Sequence, residues 1–326
     1  MGSDAPGTRH ADDRAPKCDV GHNRAMTAVR ATARGGRTGA AVLDDGDVAA
    51  ALAVCASDPV GSVLAASRLE QAAATGLRRA GGELWGYAED DELRAICWAG
   101  ANLVPVLATD DDASASRALA AFAALGRTRG RRCSSIVGPA DAVLGLWSRL
   151  RGAWPLEREI RASQPSMVID GDPAVVPDPA VRRSVPEEYD AVLPACVRMF
   201  TEEVGYSPVS GPGGPYEQRV RALIEQGRSF VRVERPAGTW RRPRVVFKAE
   251  VPAVAGGVAQ VQGVWVDPER RGERLSETGM AAVVQATRAD IASTVSLYVN
   301  GYNTRAVRAY QAVGFRQVGE YATVLF

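Results

Sequence analysis

The spacing of apolar positions switches between a helical and a strand period along this chain, and it does so twice in the same order. Residues 44–55 (DDGDVAAALAVC) place an acidic turn before an alanine-rich run, which predicts a helix with Asp47 as its cap. Helical spacing returns over 60–74. Alternating positions at 83–87 and 93–98, parted by the polar Glu89-Asp90-Asp91-Glu92, predict a hairpin, and 102–107 a further strand. A helix over 114–125, a strand at 134–137, a helix over 140–150 and a closing strand at 166–169 complete the first series.

The second series opens with a helix over 186–201, whose Pro186-Glu187-Glu188 suits a first turn. A helix over 216–225 follows, then strands at 230–234, 245–251 and 258–266. A helix over 276–290, a strand at 295–299, a helix over 304–313 closed by Gly314, and a strand at 321–325 end the chain. Both series read helix, helix, three strands, helix, strand, helix, strand. The segment between them, IDGDPAVVPDPAVRRSVP, is rich in Pro and Asp and reads as a linker. The expected organisation is therefore a pair of similar α/β domains at 39–169 and 182–326, joined by a linker at 170–181. Residues 1–38 lack apolar periodicity and are expected to be a disordered tail, within which Met26 is an alternative start.

Bulk properties narrow the function. The chain has 326 residues, 46% of them hydrophobic and 24% charged, which suits two globular domains with cores of their own. A net charge of +1 gives no global attraction to nucleic acid or to an acidic membrane surface. With no apolar run near bilayer length and no signal-peptide pattern, the expectation is a soluble cytoplasmic protein, monomer or homodimer. Cys18, Cys55, Cys97, Cys133 and Cys196 are scattered without a CxxC pair, so free buried thiols are expected rather than disulfides or zinc ligands. The two histidines, His10 and His22, lie in the polar tail, which removes Ser-His and Cys-His catalysis and His-bound metals from the field. Proton transfer falls to Glu, Asp, Tyr, a thiol or water.

Chemistry concentrates after residue 257. A valine-rich strand ends at Asp267-Pro268, and Arg270, Arg271 and Gly272 lie in the turn that opens the next helix. Free amides, a helix dipole and arginines in one turn suit a diphosphate; a solvated basic turn capped by Ser276 is the plainer reading. Asn303 caps the helix that follows the next strand, or its amide bonds a linear ligand. Tyr310, two turns into that helix, carries a phenol suited to protonating a thiolate, or is a packing aromatic.

Together these elements resemble the GNAT acetyltransferase superfamily over about residues 182–326, and MFTEEVGYSP, VFKAE, QVQGVWVDPERRG, SLYVN, NTRAVRAYQAVGF and the terminal YATVLF carry the narrower resemblance that follows. More narrowly, the chain resembles actinobacterial two-domain members with a degenerate GNAT-like N-terminal half. The resemblance implies an α/β fold of tandem domains, each a mixed, mostly antiparallel sheet flanked by helices. It also implies transfer of an acetyl group from acetyl-CoA to a primary amine of a small molecule or a protein, without a metal, nucleic acid or membrane. On that basis the backbone of Val264, Trp265 and Val266 pairs with the pantetheine arm and polarises the thioester carbonyl. Arg271, Gly272, Glu273, Arg274, Leu275 and Ser276 form the pyrophosphate loop, Asn303 steers the arm, Ala306 leaves it room, and Tyr310 is the general acid.

One departure matters. The family loop runs R-x-x-G-x-G/A, and here Arg274 and Ser276 replace its two glycines. A Cβ at Arg274 is expected to crowd the phosphate or oppose the backbone angle, and so to weaken coenzyme A binding. For the base, Glu250 on the preceding strand is the first candidate, with Glu202 and Glu203 as alternatives; solvated surface charge is the plainer reading of each. The first half offers ATDDDA at the matching turn, where Asp110 to Asp112 would repel a diphosphate, so one cofactor per chain is expected. Two other functions stay open: a CoA-binding or regulatory protein with impaired catalysis, and an enzyme like mycothiol synthase, which also pairs two such domains with one active half.

Overall fold

The computed structural model describes residues 1–2, 38–209, 211–235 and 243–326. Cys18, His10, His22, Met26 and almost all of the expected tail lie outside the described residues.

The first half contains β1 (Gly39–Leu43), α1 (Val48–Cys55), α2 (Pro59–Thr75), α3 (Leu77–Ala80), β2 (Glu83–Glu89), β3 (Glu92–Ala99), β4 (Asn102–Leu107), α4 (Asp112–Arg129), β5 (Ser135–Pro139), α5 (Ala140–Leu150) and β6 (Glu159–Ile169). The second contains β7 (Arg182–Arg183), α6 (Tyr189–Val204), α7 (Pro215–Glu225), β8 (Ser229–Glu234), β9 (Arg244–Ala255), β10 (Val258–Val266), α8 (Leu275–Asp290), β11 (Thr294–Tyr298), α9 (Thr304–Val313) and β12 (Arg316–Leu325).

Local chemistry accounts for most boundaries. Asp58 accepts from the Gly61 amide at 2.9 Å and Pro59 fills the first turn of α2. Asp90 and Asp91 both adopt positive φ, as a two-residue hairpin turn between β2 and β3 requires. The first cap differs from expectation. Asp44, not Asp47, is the capping residue, with its carboxylate on the Gly46 amide, while Asp47 reaches back to the Asp44 amide and leaves α1 without a side-chain cap.

All strands join one sheet in the order β1-β2-β3-β4-β5-β12-β6-β11-β10-β9-β8-β7. β4–β5 and β10–β11 are parallel and the other neighbours antiparallel. The order is a palindrome of the two halves about β12–β6, so the repeated series in the sequence becomes a pseudo-two-fold in the sheet. Each half also lends a strand. β6, from the first half, pairs with β11, while the chain's last strand, β12, pairs with β5. The sheet therefore runs without a break across residues 169–170, and β6 is a central strand rather than a closing one.

On one face of the sheet, α1 and α2 cover the first half and α6 and α7 the second; on the other, α4 and α5 match α8 and α9. α2 also reaches the second half, where Val63 packs with Ala253 and Val258. Among the described residues no helix is long and apolar enough to cross a membrane.

Candidate functional site

β10 and β11 pair in parallel only from Val258 opposite Thr294 to Gln260 opposite Ser296. Beyond that point they part, and β10 is anchored on its other side alone, by β9. One lip of the opening is Val264 to Val266; the other is the end of β11 and the start of α9. One apolar cluster brings the two lips together, since it joins Val264, Val266, Val299, Ala306 and Tyr310.

The turn after β10 has two residues in left-handed backbone conformations. Gly272 sits at φ +97° and Arg274 at φ +59°, ψ 19°, a left-handed conformation in which a Cβ is disfavoured. Arginine thus holds a backbone angle that favours glycine. Its side chain is 69% exposed and pairs with Glu277 at 2.5 Å. Arg274, not Ser276, precedes the first helical residue, and no side chain caps α8. Among the described residues the backbone N–H groups of Gly272 to Ser276 have no acceptor within the chain, so consecutive donors coincide with the positive end of a 16-residue helix. The donor set fits an anion such as a diphosphate.

The neighbouring charges are all engaged. Arg270 pairs with Glu273 at 2.7 Å and with Glu234. Arg271 donates to Glu202 at 2.6 Å and to the Val266 carbonyl at 3.2 Å. Glu202 also accepts from the Trp265 indole at 3.2 Å, so α6, β10 and the turn meet at one carboxylate.

Across the opening, Asn303 is the cap of α9 and its Oδ1 accepts from the Ala306 backbone N–H at 3.2 Å, while its side-chain Nδ2 has no partner among the described residues. Tyr310 is 8% exposed and stands edge-on to Phe315 at 6.0 Å. Burial, with a smaller contribution from the charge of Glu203, pushes its phenol well above the usual value. It therefore holds its proton throughout the physiological range. Glu203 is half-exposed and is bound by Arg161 at 2.9 Å.

Glu250 lies on the face of β9 turned towards α6 and α7. It is 2% exposed and accepts from Lys248 Nζ at 2.8 Å, Cys196 Sγ at 3.2 Å and Arg219 at 3.3 Å. Burial alone would raise its pKa, but Lys248 and Arg219 outweigh that and hold it at about 2. A carboxylate so held is a weak proton acceptor near neutral pH, which argues against the base role expected from the sequence. Lys248 was missed at the sequence level. A lysine two positions before a glutamate inside VFKAEV, on one face of an apolar strand, was the available signal.

In the first half the matching turn is occupied by the chain itself: both Asp111 carboxylate oxygens accept from the start of α4, from Ala113 at 3.2 Å and Ser114 at 3.0 Å. Cavities elsewhere, of about 340 Å3 beside Trp85 and Trp154 and about 550 Å3 beside Tyr321 and Arg316, do not include the lips.

Residues 213–315 match the profile of the Acetyltransferase (GNAT) family, and residues 82–192 that of a Domain of unknown function (DUF4081). No curated protein matches the chain. Among solved structures, a Drosophila protein from a structural genomics programme superposes with a TM-score of 0.58 at 13% identity, covering 89% of this chain and 99% of its own. A tandem GNAT protein from the clavulanic acid biosynthesis pathway superposes with a TM-score of 0.50 at 14% identity, covering 89% and 98%. At such identities the likeness is one of fold.

Proposed function

We propose, from the match of residues 213–315 to the acetyltransferase (GNAT) family profile, that this chain moves an acyl group, acetyl first, from coenzyme A to a primary amine of a small molecule or protein. The observation that carries the reading is the run of amides from Gly272 to Ser276, without an acceptor among the described residues, at the start of α8 and just beyond the lip of Val264 to Val266, which shares an apolar cluster with Tyr310 on the facing lip. Acetyl-CoA supplies an activated carbonyl and a thiolate leaving group.

The chain's own residues then divide the work. The amides of Gly272 to Ser276 hold the diphosphate, with Arg271 adding charge once Glu202 releases it. The open edge of Val264 to Val266 takes the pantetheine arm as an added strand, and an amide there polarises the carbonyl. The amide of Asn303 steers the arm, and the small Ala306 leaves it room. Tyr310, protonated by virtue of its burial, gives its proton to the thiolate. We assign the amine's proton to Glu203, through water, in preference to Glu250. Glu203 is half-exposed and close enough to Tyr310 for its charge to be felt there.

The engaged arginines and the left-handed Arg274 favour a second reading, a CoA-binding regulatory protein with little catalysis. One experiment separates the two: purified protein is incubated with acetyl-CoA and cell extract, and acetylated products are sought by mass spectrometry. An acetylated amine that disappears with Tyr310→Phe supports transfer; that variant should lose at least about a hundredfold in rate while keeping its affinity for coenzyme A. Binding without any product in either protein supports the regulatory reading.

A further inference from the structure

The registers of β9 and β10 disagree by one residue at Gly263. From Gln262 to Trp265 β10 advances three positions, while β9 moves two, from Glu250 to Lys248. This is a β-bulge, and Gly263 takes it at φ +60°. A bulge leaves backbone groups without a ladder partner. Here the Gly263 carbonyl accepts instead from Lys248 Nζ at 3.0 Å.

Lys248 is 0% exposed and is held in turn by Glu250 at 2.8 Å. Glu250 then takes Cys196 of α6 and Arg219 of α7. One chain of contacts thus ties the bulge in β10 to the two helices that flank residues 205–214. Burial pulls the Lys248 ammonium down, but the Glu250 carboxylate beside it pulls it up, and the net direction is upward, so the pair stays charged. A buried ion pair is often no more stable than apolar side chains of the same shape, so stability alone does not account for it. What the ammonium does, and an apolar chain does not, is hold one carbonyl of β10 in one place, immediately before the lip.

We propose that Lys248 is a positioning residue for acyl transfer: anchored by Glu250, it fixes the Gly263 carbonyl and thereby aims the amides of Val264 to Val266 at the thioester carbonyl. This rests on the function proposed above. No contact between Lys248 and either substrate is involved. Met199 closes the bulge from α6, since a Cβ on Gly263 would meet its Cε at 3.3 Å and Lys248 Nζ at 3.1 Å.

The test uses the full chain and acetyl-CoA labelled with carbon-13 at the thioester carbonyl. Isotope-edited infrared spectroscopy reads the polarisation of that carbonyl, and calorimetry reads affinity. In the wild type the bound carbonyl band should lie below that of free acetyl-CoA. In Lys248→Met/Glu250→Gln, which removes both charges together, the band should return towards the free position while Kd changes by less than about threefold. Gly263→Ala keeps both charges and disturbs the bulge directly, so it should move the band the same way. A folded double variant that binds acetyl-CoA with the wild-type band overturns the proposal and leaves the acyltransferase reading intact. If the double variant does not fold, Gly263→Ala decides on the same criterion. A wild-type protein that does not bind acetyl-CoA overturns the reading itself, and the proposal with it.

Discussion

Arg271 in the turn before α8 donates to Glu202 of α6 at 2.6 Å, and so the guanidinium placed to meet a diphosphate already has an anion. Both side chains are 42% exposed, where such a pair contributes only about 0–1 kcal/mol. Glu202→Gln removes the competing charge and leaves an oxygen for the Trp265 indole. Coenzyme A affinity should rise by up to about fivefold, the equivalent of that pair. Calorimetry reads this directly, and a weaker Kd would mean that Glu202 assists binding.

Arg274→Gly addresses the same turn through its backbone. A non-glycine residue at φ +59° costs about 1–2 kcal/mol relative to glycine. The exchange also loosens the unfolded chain and loses the pair with Glu277, so the net change in stability should stay within about 1 kcal/mol. Binding carries no such offset, because the missing Cβ opens the approach to the amides of Gly272 to Ser276. Coenzyme A affinity should improve by about threefold or more. An unchanged or weaker Kd, with Tm unmoved, would show that the arginine suits the loop as it stands.

Glu250→Gln should behave as a stability variant rather than a pH-profile variant. It leaves Lys248, which is 0% exposed, without its counter-charge, and breaking a buried pair in this way costs about 3–5 kcal/mol. Chemical denaturation measures that loss. The pH dependence has a definite sign: the carboxyl is held at about 2 in the folded chain against 4.5 ordinarily, so its stabilisation is present above pH 4.5 and is lost as pH falls from there towards 2. Wild-type unfolding should steepen in that window, and the glutamine variant should lose that component. A variant as stable as the wild type would mean that Lys248 finds another partner.

Which parts of this were legible in sequence follows from where each residue's partners lie. α5, α9 and β10 run over the residues their periodicity predicts, because each has a regular apolar face or run and local stop signals. β6 extends from Glu159, although only residues 166–169 looked like a strand. Its first half, EIRASQP, carries buried polar groups, and a polar run in sequence reads as a loop. Arg161 is satisfied by Glu203, and Gln164 by Asn300 and Thr323, contacts that no local window contains. β1 went unseen because its five residues adjoin the unpatterned tail and only Gly39 to Leu43 carry the signal. At the site, the cap of α9 at Asn303 and the turn at Gly272 were readable from residue type. That Ser276 lies inside α8 follows from the left-handed Arg274, which starts the helix at Leu275, and that Glu250 is spoken for by Lys248 and Arg219 follows from the packing of α6 and α7 over β9.

The two halves share a sheet plan, yet one turn is self-filled and the other open, and this predicts stoichiometry. At α4 the Asp111 carboxylate takes the Ala113 and Ser114 amides, and Asp112 follows in the first helical turn. A diphosphate there would have to displace a covalently tethered anion and face its charge. At α8 the corresponding amides have no such partner among the described residues. Titration calorimetry or native mass spectrometry should therefore find one coenzyme A per chain. Gly272→Asp, which adds a carboxylate at the open turn, should abolish that single event. Asp111→Ala should destabilise the fold by about 1 kcal/mol through loss of the cap, and should not create a second site, because Asp110 and Asp112 still flank the freed amides. Two equivalents bound by the wild type, or an event surviving Gly272→Asp but lost with Asp111→Ala, would place the cofactor in the wrong half.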